Sequence, residues 1–119
     1  MSRGSTYDDV RMAALALPNV KEGTSYGTPA LKIKGKLMVR LREEGDVIVV
    51  KMPLDLRAEL MEGDPDTYFL TDHYEPYEWI LVRLTRLPPE ALPDLLRTSY
   101  RAATGRSGAK KASSRNLLS

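Results

Sequence analysis

The sequence predicts an α+β fold, a two-layer α/β sandwich of order α-β(3)-α-β(2)-α with an antiparallel sheet. Three observations carry this. Apolar residues recur at helical spacing in three segments, and in five others they alternate with polar residues or run as β-branched blocks. The links between neighbouring strand-like segments are short and rich in Gly, Asp and Glu, which suits hairpins rather than crossovers. The helix-like segments flank and separate the strand groups, so one sheet face meets helices and the other is partly solvated.

Met1–Ser5 is small and polar and reads as a frayed terminus. Thr6 suits an N-cap, with Asp8 and Asp9 placed where negative charge favours a helix start. Val10, Ala13, Ala14 and Leu17 share one helical face, and Pro18 ends the helix read over Tyr7–Leu17. Glu22–Thr28 holds two glycines and three small hydroxyl residues and reads as a loop. Pro29 permits a strand start. Leu31–Lys34 alternates, Gly35 marks a tight turn, and Lys36–Arg42 alternates again. Glu43–Asp46 makes a second turn before the apolar run Val47–Met52, completing a three-stranded meander.

Pro53 opens a short amphipathic helix containing Leu54, Leu56, Leu60 and Met61, with Gly63 as its cap. Thr67–Thr71 reads as a strand, Asp72–Glu78 as a polar, aromatic loop, and Trp79–Leu84 as the last strand. Pro88, Pro89 and Glu90 start a final helix whose stripe is Leu92, Leu95, Leu96 and Tyr100, ending near Thr104. The expected organisation is therefore one domain over residues 1–104 and a basic, Gly/Ser-rich, disordered tail over 105–119.

Composition removes several functions. The 119 residues suit one domain, and 42% hydrophobic with 29% charged residues is ordinary for a globular protein. There is no Cys and one His, so disulfides, thiol nucleophiles and histidine–cysteine metal clusters are excluded. No apolar run approaches the roughly 20 residues of a membrane span, and no signal peptide is visible. A cytoplasmic location without cofactor or metal is the expectation. The net charge of +2 conceals a split. Arg106, Lys110, Lys111 and Arg115 lie in a tail without acids, which leaves 14 basic and 16 acidic residues before it, a net of −2. A nucleic-acid surface on the folded part must therefore be a local patch.

Two candidate sites stand out. Strand residues two apart share a face, so Lys32 pairs with Lys34, and Lys36 with Arg40 and Arg42, while Leu31, Ile33, Leu37, Val39 and Leu41 turn to the core. Lys51 and Arg83 lie on later strands of the same sheet. Such a face attracts phosphate or an acidic partner, and the alternative is an ordinary solvated face partly neutralised by Glu43, Glu44 and Asp46. The second cluster is Tyr26, Tyr68, His73, Tyr74, Tyr77 and Trp79. These side chains line pockets, stack on bases, or simply pack a loop onto a sheet. His73 is a candidate general base by residue type, but that role also needs a partner and a substrate. No G-x-S-x-G elbow, phosphate loop or G-x-G-x-x-G is present, and the carboxylates are scattered. Gly23 and Gly27 bracket a turn that could form a small anion nest.

Leu15–Ala16–Leu17–Pro18, Glu22 to Ala30, Gly35–Lys36–Leu37, Arg40–Leu41, Asp72–His73–Tyr74 and Trp79 to Leu84 together resemble the MmcQ/YjbR family. The resemblance spans roughly residues 7–103 and rests on order and spacing rather than one signature. It implies the α-β(3)-α-β(2)-α sandwich, with a topology similar to secretion chaperones, and DNA binding through two hairpin wings. The wings would be the turns at Gly35 and at Glu43–Asp46, the second carrying three acids that repel phosphate. Members often have a tryptophan soon after the histidine; here Trp79 follows His73 by six residues, so only a pocket or packing role carries over.

The reading is a small, non-enzymatic binding protein, DNA-binding through Lys32, Lys34, Lys36, Arg40 and Arg42. One alternative is a protein- or peptide-binding adaptor using a sheet face or edge. Another is a small-ligand binder or enzyme at Tyr26, His73, Tyr74, Tyr77 and Trp79. Nucleic acid or a protein partner, no membrane, and a monomer or weak dimer are the matching expectations.

Overall fold

A computed structural model describes residues 4–105; the basic tail beyond Gly105, and Met1–Arg3, lie outside the described residues. Helix α1 (Tyr7–Leu15) is followed by β1 (Val20–Ser25), β2 (Thr28–Ile33), β3 (Lys36–Leu41) and β4 (Val47–Lys51). Helix α2 (Leu54–Gly63), β5 (Tyr68–Phe69), β6 (Trp79–Arg83) and α3 (Leu92–Thr104) complete the order. The six strands form one antiparallel sheet in the order β1-β2-β3-β4-β6-β5. All three helices pack on one sheet face, where Val10, Ala14, Leu92, Leu95 and Leu96 meet Leu31, Ile33, Met38, Val39, Ile48, Val50, Ile80 and Val82. The α+β sandwich is as expected, with one strand more than the sequence pattern shows.

The added strand is β1, which overlaps the segment Glu22–Thr28 read as a loop. Only Val20 in it is buried, so no alternation marks it. Its pairing is set by the turn instead. Tyr26 and Gly27 sit at φ 55 and 80, and Lys34 and Gly35 at φ 51 and 80. Two positive φ values in succession give the type I′ twist that lets a two-residue loop join antiparallel strands.

Thr6 caps α1 as expected: its Oγ1 accepts from Asp9 N at 3.2 Å, and Asp9 Oδ2 accepts from Thr6 N at 2.9 Å. The helix stops at Leu15, short of Leu17, because residues before Pro18 are pushed from the helical region. Ser5 does not fray. Its N–H donates to Leu84 O at 2.7 Å and its hydroxyl to Leu87 O at 2.7 Å. A Cβ on Gly4 would lie 2.5 Å from Thr85 O, so only glycine allows this approach.

The second half departs in three places. Gly63 lies inside α2, and the cap is Asp64, whose N–H donates to Leu60 O at 3.0 Å. Strand β5 is two residues long rather than five, since buried Thr67 turns its hydroxyl to Asp64 Oδ2 at 2.7 Å. The final helix begins as a 3-10 turn at Pro89–Ala91 before α3, which ends at Gly105 in the left-handed region. Among the described residues no helix is long and apolar enough to cross a membrane.

Candidate nucleic-acid interface

Register decides which cations share a face. Leu31 opposes Val39, but the next pair is Lys32 with Leu37, so Met38 is the extra residue of a bulge in β3. The bulge sends Met38, fully buried, into the helix-side core and reverses the parity beyond it. Lys36 then opposes Ile33, a core-face residue, while Leu37 opposes Lys32. The expected grouping of Lys36 with Arg40 and Arg42, and of Leu37 with the core face, therefore does not hold. Lys34 is not on a strand face either, because it sits in the turn.

On the helix-free face, strand pairing aligns Lys21 with Lys32, Arg40 with Ala30 and Val49, Lys51 with Trp79, and Arg83 with Val47. Strand positions sharing this face carry no Asp or Glu; Glu22, the one acid within the strands, opposes core residue Leu31.

The Lys34–Gly35 end of the sheet gathers Lys21, Lys32, Lys34 and Lys36 around Asn19. Lys21, Lys32 and Lys34 line a cleft of about 450 Å³ with Asn19, Glu22 and Gly35. Lys34 and Lys36 line a second, of about 520 Å³, with Asn19, Ile33 and residues of α3. Among the described residues none of these four lysines has an ion-pair partner. Glu22 is held by Arg11, Nε to Oε1 3.0 Å. Lys21 and Lys32 stand directly opposite, a like-charge pair that costs a sheet roughly 0.2–1 kcal/mol. Lys21 had no place in the sequence reading, because finding it requires recognising Tyr26–Gly27 as a hairpin turn.

The Tyr26–Gly27 end has its cations already engaged. Arg40 is only 7% exposed. Its guanidinium donates to Tyr74 OH at 3.0 Å, Thr28 Oγ1 at 3.2 Å and Leu41 O at 3.4 Å, and lies 5.1 Å from the Tyr26 ring centroid. No carboxylate of the described residues lies within ion-pair distance of it. Arg42 reaches Glu44 at 3.4 Å. Arg83 donates to Asp66 O at 3.0 Å and covers the Phe69 ring at 4.0 Å. At the other end of β4, toward Lys36, Lys51 covers the Trp79 ring at 4.9 Å.

The aromatic loop roofs the middle of this face. Tyr74, Leu70, Phe69 and Trp79 pack over Val47, Val49 and Leu81. Arg57 of α2 anchors the loop by donating to the carbonyls of Tyr77 at 2.7 Å and Glu75 at 3.0 Å. His73 is exposed and meets Tyr74 edge to face, 4.8 Å between centroids. Tyr77 is exposed as well. Tyr26, His73, Tyr74, Tyr77 and Trp79 thus form a packed roof with exposed outliers, and the clefts at the lysine end contain none of them. No group of three or more His, Cys, Asp or Glu among the described residues could hold a metal ion.

Among the described residues Tyr26 is the most exposed of the large hydrophobic residues, at 82%. Its left-handed backbone costs a side-chain-bearing residue roughly 1–2 kcal/mol relative to glycine.

A family model described as YjbR matches residues 15–102 of this chain. The crystal structure of a Deinococcus radiodurans protein with a DUF419 domain superposes with a TM-score of 0.73 at 24% identity, covering 89% of this chain and 83% of that one. That likeness shows the fold. No curated protein matches the chain.

Proposed function

The chain belongs to the YjbR family, and we propose that it is a non-enzymatic binding protein that grips the phosphate backbone of nucleic acid, DNA in the first instance, with the lysine end of its sheet. The observation that carries this is the convergence of Lys21, Lys32, Lys34 and Lys36 on one turn, without a carboxylate ion-pair partner among the described residues. Lysines that neutralise phosphates release the cations condensed on the nucleic acid, and that release drives non-specific binding. The turn at Gly35 is the basic wing. The turn at Glu43–Asp46 repels phosphate and is left out of the contact. Arg40 and Arg42 become supports, since one is buried and the other neutralised by Glu44.

The test is fluorescence anisotropy of labelled duplex DNA against the full chain over a series of salt concentrations. A second chain carries glutamine at Arg106, Lys110, Lys111 and Arg115, so the tail contributes no charge. The reading requires binding by both chains, with affinity falling steeply in salt. Binding by the first alone assigns the attraction to the tail and ends the proposal.

A second reading is favoured by one observation: β1 is a six-residue edge strand with nothing among the described residues paired to its outer side. Such an edge accepts an extended peptide by strand addition. Retention of duplex binding on mutating the edge, with loss of a captured peptide, would favour it.

A further inference from the structure

We infer that Tyr26, carried on Arg40, is a stacking platform for an unpaired base, so that this protein prefers single-stranded to duplex nucleic acid. The inference rests on the nucleic-acid reading above and names the form of substrate. Three unusual features meet at one spot. A tyrosine occupies the first position of a type I′ turn, where asparagine or glycine fits without strain. The residue is 82% exposed, so it contributes little to any core. The cation beneath it is almost buried and, among the described residues, has no carboxylate partner. Local rules broken together mark sites where something other than folding sets the residue.

The geometry shows what the ring offers. Thr28 and Tyr74 fix the Arg40 guanidinium, and the guanidinium lies 5.1 Å from the centroid of Tyr26. The ring is thus steadied from one side while most of its surface meets solvent. A flat, exposed π-surface over a positive charge suits a nucleobase attached to an anionic chain. In a duplex the base faces are already stacked on one another, and only an unpaired base can lie on the ring. Strand β2 links this platform to the lysines: from Thr28 to Ile33 the strand covers roughly 17 Å, within the reach of a short single strand.

The experiment uses the full chain and three probes: a labelled oligothymidylate of about 12 nucleotides, its duplex with oligoadenylate, and inorganic polyphosphate. Tyr26→Asn keeps the turn, since asparagine tolerates the left-handed region, and its melting temperature is expected to equal or exceed that of the parent. It is expected to lose about tenfold in affinity for the single strand while duplex and polyphosphate binding stay unchanged. Tyr26→Phe retains the ring and the single-strand affinity. The inference is overturned if Tyr26→Asn binds the single strand as tightly as the parent. In that case unchanged binding of duplex and polyphosphate leaves the phosphate-grip reading standing. If the parent chain binds none of the three probes, both fall.

Discussion

The two ends of the sheet carry similar numbers of cations and use them in opposite ways. At the Lys34–Gly35 end, four lysines crowd one turn and keep their charges facing solvent. At the Tyr26–Gly27 end, Arg40, Arg42 and Arg83 are tied to a tyrosine, a glutamate and a backbone carbonyl. Residue type follows from this. Arginine offers a rigid fork that satisfies several acceptors at once, as Arg40 does with three. Lysine is a flexible, well-hydrated point charge that suits a sequence-indifferent contact with phosphate. Counting positive residues along the chain merges these two populations.

The contrast can be broken most decisively at the lysine end. Replacing Lys21, Lys32, Lys34 and Lys36 by glutamine should lower low-salt DNA affinity by roughly 100-fold or more and flatten the salt slope by about 3–4 units, measured by anisotropy. The same variant should melt no lower than the parent, because it relieves repulsion. An unchanged slope would show that these lysines do not meet phosphate.

Arg40→Leu probes the other end by stability. It removes three hydrogen bonds and strands the Tyr74 hydroxyl, for an expected loss of about 2 kcal/mol, or on the order of 10 °C in calorimetry. Equal melting of variant and parent would mean that Arg40 is not a structural support.

Lys21→Glu sharpens the comparison by separating stability from binding. It turns the repulsive cross-strand pair with Lys32 into an attractive one, so stability should rise by about 0.5 kcal/mol in a denaturant titration while DNA affinity falls. A loss of stability would contradict the cross-strand account. Arg42→Gln should do least, shifting stability by within about 0.5 kcal/mol, because the Arg42–Glu44 pair is partly exposed and Arg42 Nε makes no hydrogen bond in it. Its DNA affinity should move by less than the change from any one lysine, which the same anisotropy series reads.

Much of the fold was legible because it rests on local chemistry. Thr6 and Asp9 box the first helix, the apolar run at Val47 pairs centrally in the sheet, and the stripe on α3 meets the core. Strand β1 was not legible, since an edge strand with one buried residue has no period to read. Tyr26, Tyr74 and Trp79 could be picked out by type, but their duties could not. Whether an aromatic roofs a face or stands free depends on a loop anchored by Arg57, twenty residues before Tyr77 in the chain.

The sequence by itself determined the α+β class, the helix starts and most strand positions, because periodicity, caps and proline act over a few neighbouring residues. Only the tertiary structure decided which charges are free. The bulge at Met38 reverses the parity of Lys36, the Tyr26–Gly27 turn brings Lys21 opposite Lys32, and the loop buries Arg40 beneath Tyr74. A side chain's electrostatic role is set by what lies within a few ångströms of it. In a sheet those neighbours come from register, which depends on turns and bulges formed elsewhere in the chain.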